Sequence, residues 1–192
     1  MRHSKRANIM ACIGLLTGAL ALTSCSGPGG KPAEEAAPAA MSEEQRVERG
    51  RYLVLVMGCG DCHTPGTFAG APDRSRWLAG SEYGWQGPWG TSYASNLTPD
   101  STGLPGWTEE DFVRVLKSGT RKDGTKVLPP MPWPWFSNLT DEDAGAIGAY
   151  LTTLAPVPHV VPKRTAPGQK APGAVIVFPP PQPWDMPAQQ AQ

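Results

Sequence analysis

The sequence contains the run Cys59-Gly60-Asp61-Cys62-His63, a C-x-x-C-H pattern within a chain of 192 residues. This pattern is typical of the covalent attachment site of a c-type haem. Two thiols three residues apart can add to the two vinyl groups of one porphyrin, and His63 then lies close enough to ligate the iron. The sequence therefore predicts one haem c, attached through Cys59 and Cys62, with His63 as the proximal iron ligand.

Two other uses of a C-x-x-C pair have less support. A redox-active dithiol is typical of a thioredoxin-like alternation of strands and helices, and the sequence shows no such alternation. A zinc site needs further Cys or His ligands at comparable spacing. The remaining Cys and His residues all lie far from the motif in sequence: His3, Cys12, Cys25 and His159.

The composition indicates one modest domain with long irregular segments. The chain has 17 basic and 17 acidic residues, so its formal net charge is zero and nothing favours nucleic acid as a partner. Glycine and proline contribute 22 residues each, about double their average combined share. This excess is typical of loops and of unstructured flanks around a small ordered body.

The N-terminus has the layout of a bacterial export signal. Basic residues in the first six positions precede an apolar run over residues 9–23, which is too short for a membrane span. The run ends at Leu22-Thr23-Ser24-Cys25, which resembles the lipobox of bacterial lipoproteins. This resemblance implies a signal peptide over residues 1–24 and lipidation of Cys25. An ordinary cleaved signal, with Cys25 left as a free thiol, is the alternative.

The remaining segments follow from changes in composition. Residues 25–41 have the small and polar residues of a flexible tether. We expect the ordered domain over 42–156 and a proline-rich, extended tail over 157–192. An apolar stretch at 174–178 is the part of this tail that can dock, either on the domain or on a partner.

Three helices are predicted inside the domain. A capping box at Ser42 and Gln45 predicts the first, over about 43–57. The second begins at Thr108 and ends at Gly119, and the third begins at Thr140 and is stopped by Pro156.

Between the first two helices, residues 64–106 show no sustained period, so we expect a long loop packed on the haem. The carbonyl that orients the His63 ring is expected from Pro65 or Pro72. Gly50 is expected to allow a close crossing of the first and last helices, against Gly148 or Tyr150.

Three residues downstream of the motif could supply the sixth iron ligand: Met131, Met186 and His159. Met131 lies between the second and third predicted helices, where the flanking prolines hold the backbone extended. The other two lie in the tail, so we predict Met131 as the distal ligand. His/Met ligation fills the coordination of the iron and raises its reduction potential relative to nitrogen-only ligation.

The order helix, C-x-x-C-H, loop, helix, methionine loop and helix resembles a class I cytochrome c. More narrowly, Ser95-Asn96-Leu97-Thr98-Pro99-Asp100, Trp107 and Pro130-Met131-Pro132 resemble the cytochrome subunits of bacterial membrane-bound alcohol and gluconate dehydrogenases. Those subunits typically carry three haem modules, whereas this chain has one C-x-x-C-H. The resemblance implies a mainly α, small helical domain wrapped around one covalently bound haem, with disordered flanks.

The resemblance also implies that Asn96, Thr98 and Trp107 lie near the haem propionates. A turn held by an Asx hydrogen bond is the equally supported alternative for this segment. The predicted function is single-electron transfer to and from redox partner proteins, namely a dehydrogenase, an oxidase or another cytochrome. The alternatives are a fixed subunit of a dehydrogenase complex, with residues 157–192 as its docking arm, and a haem sensor or peroxidase.

The predicted location is the periplasmic face of a bacterial membrane, with the chain held there by its lipid anchor. Ser26, where an aspartate would favour the inner membrane by lipoprotein analogy, favours the outer membrane.

Overall fold

The computed structural model describes residues 40–178. Its helices are α1 (Glu43–Val56), α2 (Cys59–His63), α3 (Glu109–Ser118), α4 (Trp133–Phe136) and α5 (Asp141–Thr152). Its strands are β1 (Gly84–Gly87), β2 (Gly90–Tyr93) and β3 (Val175–Val177), and two 3-10 turns cover Thr67–Ala69 and Arg74–Arg76. The predicted signal peptide, Cys25, nearly all of the predicted tether over residues 25–41, and Met186 lie outside the described residues.

Side-chain caps begin the long helices as predicted. The Ser42 hydroxyl accepts from the Gln45 backbone N–H, and the Gln45 side chain accepts from the Ser42 N–H at 2.8 Å. Thr108 forms the equivalent box with Asp111 at the start of α3, and Gly119 ends that helix with φ 63°. Glycine tolerates this left-handed conformation without a Cβ penalty.

Thr140 caps the start of helix α5 as predicted, but the helix ends at Thr152, four residues before Pro156. The hydroxyls of Thr152 and Thr153 donate to the carbonyls of Ala149 and Tyr150, at 2.8 and 2.7 Å. Such side-chain bonds compete with continuation of the helix. The proline therefore lies beyond the helix end.

Helices α1 and α5 cross closely at Gly50. A Cβ on Gly50 would lie 1.8 Å from the Ala146 carbonyl oxygen and 2.8 Å from the Tyr150 Cβ. The predicted crossing with Tyr150 is confirmed. Gly148 instead faces the start of α3, where its Cβ would lie 3.1 Å from the Glu109 Cα.

The buried core lies among the three long helices and Leu78. Its members are Leu53, Val54, Leu78, Phe112, Leu116, Ile147 and Leu151. Among residues 40–178, no helix combines the length and the apolar character needed to cross a bilayer.

The expectation of an unstructured loop over 64–106 is wrong for part of that segment. Strands β1 and β2 form an antiparallel hairpin with Gly87 opposite Gly90. Each strand has four residues and contains glycine, so neither shows the alternation that indicates a strand in sequence.

Residues after α5 pack back on the domain, which corrects the expected disordered flank as far as residue 178. Strand β3 pairs in parallel with β1, giving the sheet order β2-β1-β3. Thr165 also bridges Thr91 of β2. The apolar stretch therefore docks on its own domain, and the fold is a set of helices with a small sheet.

Candidate haem-binding site

The C-x-x-C-H motif forms the short helix α2 directly after α1. Gly58, between the two helices, has φ 68°, which allows the sharp change of direction. A Cβ on Gly60 would lie 2.1 Å from the Trp77 ring, so this indole covers the motif. The Trp77 Nε1 donates to the Tyr150 hydroxyl at 3.2 Å. The motif is thus fixed against both α1 and α5.

The His63 ring is oriented by a backbone carbonyl. Its Nδ1 lies 2.7 Å from the Ser95 carbonyl oxygen. A carbonyl can only accept, so Nδ1 carries the proton and Nε2 keeps its lone pair for a metal. The prediction of Pro65 or Pro72 is wrong, and the Pro65 carbonyl instead accepts from the Asp73 N–H at 2.9 Å.

The backbone around His63 is held as well. The His63 carbonyl accepts from the Gly80 N–H at 2.7 Å, and the buried Thr64 hydroxyl accepts from the Leu78 N–H at 3.3 Å. Removal of the imidazole from water lowers the pKa of His63, although the Ser95 carbonyl acts in the opposite direction. The neutral imidazole, which is the iron-binding form, is therefore favoured.

The cysteines, His63 and Met131 line one cavity of about 520 Å³. This volume lies within the usual range of cofactor sites. The lining is mostly apolar and comes from α1, α3, α5, the sheet and the Met131 loop; it includes Val54, Trp85, Leu97, Trp107, Phe112 and Leu116.

The donor set in this cavity fits a c-type haem. Cys59 and Cys62 form no disulfide, so both sulfurs remain for thioether bonds to a haem. A nitrogen and a thioether, from His63 and Met131, are the axial donors of His/Met cytochromes. The four predicted residues are therefore brought together by the fold, with the apolar walls that a porphyrin requires.

The loop that carries Met131 is held at both ends. The Ser92 hydroxyl of β2 donates to the Pro129 carbonyl, two residues before Met131. Two residues after Met131, the Trp133 ring packs closely against Gly119. A Cβ on Gly119 would lie 2.5 Å from this ring. Strand β2 and the end of α3 thus position the thioether.

Asn96 and Thr98, two of the residues expected near the propionates, form hydrogen bonds within the protein. The Asn96 Oδ1 accepts from the Thr98 N–H at 3.0 Å, and its Nδ2 donates to the Val157 carbonyl at 2.8 Å. Asn96 and Thr98 are both 1% exposed. Their hydrogen bonds form the Asx turn that was the alternative for this segment, while Asn96 also lines the cavity. Trp107 also lines the cavity.

Of the other predicted ligands, His159 lies away from the cavity lining. The His159 Nδ1 is 2.7 Å from the Ala79 carbonyl oxygen, and the His159 backbone N–H donates to the Thr102 hydroxyl at 2.9 Å. Met57 packs against the hydrophobic core at the end of α1 and also reaches the cavity.

Three cavity residues were missed by the sequence interpretation: Ser92, Ser95 and Arg121. The first two act through a hydroxyl and a backbone carbonyl, groups that leave no pattern in sequence. Arg121 lies two residues after Gly119, the predicted end of the second helix. This position was the one feature of the sequence that indicated that Arg121 faces the site.

Known proteins have similar sequences. The cytochrome c family model matches residues 47–155. The fructose dehydrogenase cytochrome subunit of Gluconobacter japonicus is 36% identical over 130 residues, which are 67% of this chain and 25% of that protein. The alcohol dehydrogenase (quinone) cytochrome c subunit of Gluconobacter oxydans is 39% identical over 116 residues, 60% of this chain and 23% of that protein.

The predicted resemblance is confirmed by a third relative as well. The gluconate 2-dehydrogenase cytochrome c subunit of Pantoea cypripedii is 34% identical over 128 residues, 62% of this chain and 26% of that protein. The chain spans about a quarter of the length of these relatives. The family match covers more than half of the chain and contains both cysteines, His63 and Met131. The chain belongs to the cytochrome c family.

Proposed function

We propose that this cytochrome c transfers single electrons, with His63 and Met131 as the axial ligands of one haem attached through Cys59 and Cys62. The observation that carries the proposal is that these four side chains line the same cavity. The haem, when bound, supplies the one-electron chemistry. The chain supplies the attachment, the ligands and the surroundings that set the potential.

Each axial residue has a distinct role. The Ser95 carbonyl fixes the His63 tautomer and makes its Nε2 a stronger donor. The Met131 thioether, held by its loop, favours the reduced iron relative to a nitrogen ligand. With both positions filled, no site is left for a substrate, so the chain acts as an electron carrier rather than a catalyst.

Replacement of Met131 by alanine tests this ligation. We expect the oxidised Met131→Ala holoprotein to lose its methionine-to-iron absorption band, and the reduced form to bind carbon monoxide. Met57→Leu is the matched control because Met57 also reaches the cavity, and it should keep the band. Carbon monoxide binding by the reduced native protein would contradict the proposal and favour a haem sensor or peroxidase.

The proposed electron donor is a dehydrogenase. Three relatives are cytochrome subunits of fructose, alcohol and gluconate dehydrogenases. Residues 157–178 pack on the domain, and the docking arm expected of a fixed subunit lies within residues 157–192. A mobile carrier and a fixed subunit differ in whether this donor stays bound.

Affinity purification from solubilised membranes distinguishes the two forms. A mobile carrier should be recovered without a stoichiometric dehydrogenase, both as the full chain and after truncation at residue 178. This truncation leaves every contact described for residues 40–178 in place. A stoichiometric dehydrogenase that is lost on truncation would instead establish the fixed subunit.

The proposed location is the periplasmic face of a bacterial membrane, with Cys25 as the lipid anchor and the outer membrane favoured. The support is the basic N-terminus, the apolar run and the lipobox-like sequence. Two acyl signals or more are needed for stable anchoring, because one chain binds only marginally. Growth with labelled fatty acid should label the native chain and Cys12→Ser but not Cys25→Ser; an unlabelled native chain would establish an ordinary cleaved signal.

A further inference from the structure

Arg121 lines the haem cavity without an acidic partner. It lies in a tight turn after α3, in which its N–H donates to the Thr125 carbonyl at 2.8 Å and its carbonyl accepts from Gly124 at 3.0 Å. The guanidinium makes one hydrogen bond, to the Ser95 hydroxyl at 3.2 Å. Among the ion pairs of residues 40–178, none includes Arg121.

This lack of a partner is unfavourable for a half-buried cation. A guanidinium has five N–H donors, and a desolvated charge requires compensation. Burial lowers the pKa of Arg121, the nearby Asp123 carboxylate raises it, and the nearby Arg164 lowers it. The Asp123 carboxylate forms no ion pair with Arg121, and its Oδ1 accepts from the N–H and hydroxyl of Thr125 at 2.9 and 2.7 Å.

The cavity rim around Arg121 has an excess of positive charge. Of its charged lining residues, four are basic and one is acidic: Arg121, Lys126, Lys163 and Arg164 against Asp123. A haem carries two carboxylates, on its propionates. The rim therefore complements the one anionic part of the cofactor that the cavity fits.

We propose that Arg121 binds a haem propionate and links it, through Ser95, to the proximal ligand. The same Ser95 residue accepts from Arg121 with its hydroxyl and from His63 with its carbonyl. Arg121 thus couples the propionate end of the cofactor to the backbone that orients the imidazole. Its charge also favours reduced iron, which has one positive charge fewer than oxidised iron. The inference rests on the haem site and not on the identity of the electron donor.

The test compares three full-length holoproteins: Arg121→Gln, Arg121→Lys and the control Arg74→Gln. Arg74 is an exposed cation that does not line the cavity. We expect Arg121→Gln to shift the propionate bending band in the resonance Raman spectrum and to lower the midpoint potential. Arg121→Lys keeps the charge but loses the planar fork, so the band should shift while the potential stays closer to native. Arg74→Gln should change neither.

An unchanged band in Arg121→Gln would overturn the assignment, and a lowered potential alone would reduce Arg121 to a nearby charge. Should Arg121→Gln fail to accumulate with haem, the band of Arg121→Lys decides: a shift supports the contact and a native band overturns it. The low-spin visible spectrum, recorded in parallel, reports the His63 and Met131 ligation separately. If the native protein has no low-spin spectrum, the proposed ligation by His63 and Met131 is refuted, and this failure is distinct from a failure of the Arg121 inference.

Discussion

At the residue scale, Ser92 connects the Met131 loop to the sheet. Its buried hydroxyl donates to the Pro129 carbonyl. We expect Ser92→Ala to lower the free energy of unfolding by about 1 kcal/mol, because a hydrogen bond is lost and a carbonyl is left without its donor. The loosened loop should also raise the carbon monoxide affinity of the reduced protein.

Denaturant unfolding and carbon monoxide titration check these two effects. Ser137→Ala is the matched control, because its hydroxyl also donates to a proline carbonyl, at Pro134, but within the exposed end of α4. It should leave carbon monoxide binding at the native level. Equal binding by the two variants would show that Ser92 does not position Met131.

Asp111 is the second residue with a measurable role. Its carboxylate caps the start of α3 and contacts Arg114 and Lys122, each at 3.0 Å. The Lys122 contact and the Thr108 N–H together hold the pKa of Asp111 below its usual value. A lowered native pKa gives stability above the unfolded pKa and loses it as the pH falls through the native pKa.

We therefore expect Asp111→Asn to be less stable than the native protein at neutral pH. This difference should shrink as the pH falls below about 4, where the carboxylate of the unfolded chain takes up a proton, and should be lost below the lowered native pKa. Thermal unfolding followed by circular dichroism across this range measures it. In the Lys122→Met background the effect of Asp111→Asn should be smaller, and an undiminished effect would show that the Lys122 contact contributes nothing.

At the element scale, the three long helices α1, α3 and α5 could be predicted because their signals are local, whereas the short α2 and α4 were not predicted. Ser42, Thr108 and Thr140 act on residues three positions away, and Gly119 ends α3 by its own backbone preference. The sheet could not be predicted, because β3 lies some ninety residues after its partner β1. The Ser95 carbonyl was equally hidden, since every residue has one.

The crossing of α1 and α5 depends on the absence of a side chain at Gly50. We expect Gly50→Ala to destabilise the protein by about 1–3 kcal/mol or more, because its Cβ would meet the backbone of Ala146. Gly145→Ala in α5 is the control: the nearest atom to its Cβ would be on Arg46, 3.7 Å away. That substitution should stabilise the helix by about 0.5–1 kcal/mol.

Chemical denaturation of both variants measures these changes with opposite expected signs. A Gly50→Ala protein as stable as the native one would mean that the two helices separate without cost. The close packing of α1 on α5 would then play no part in holding the motif that follows α1.

At the scale of the whole molecule, the segment after α5 completes the haem domain. The Val157 carbonyl accepts from Asn96 at 2.8 Å, and the Val157 N–H donates to Thr98 at 3.1 Å. The sequence indicated a proline-rich tail here, because extended chain that pairs with a distant loop has the same composition as unpaired chain. The hydrogen bonds that this segment forms with the distant loop, and not its composition, give it its structural role.

Truncation tests this role. We expect a chain ending at residue 156 to lose about 2 kcal/mol of stability or more, because the buried side chains of Asn96 and Thr98 lose their hydrogen bonds to the Val157 backbone, at about 1 kcal/mol each. A chain ending at residue 178 keeps these partners. Unfolding midpoints of the two holoproteins give the comparison, and equal midpoints would show that residues 157–178 do not support the domain.

Strand β3 also bears on the solubility of the protein. As an outer strand of the described sheet, it presents unpaired backbone groups of the kind that recruit strands from other molecules. The ladder is three residues long and is followed, after Phe178, by three consecutive prolines at 179–181. Proline has no N–H to donate, so an intermolecular sheet cannot grow past this point. The composition that resembled a loose end thus limits self-association through this edge of the sheet.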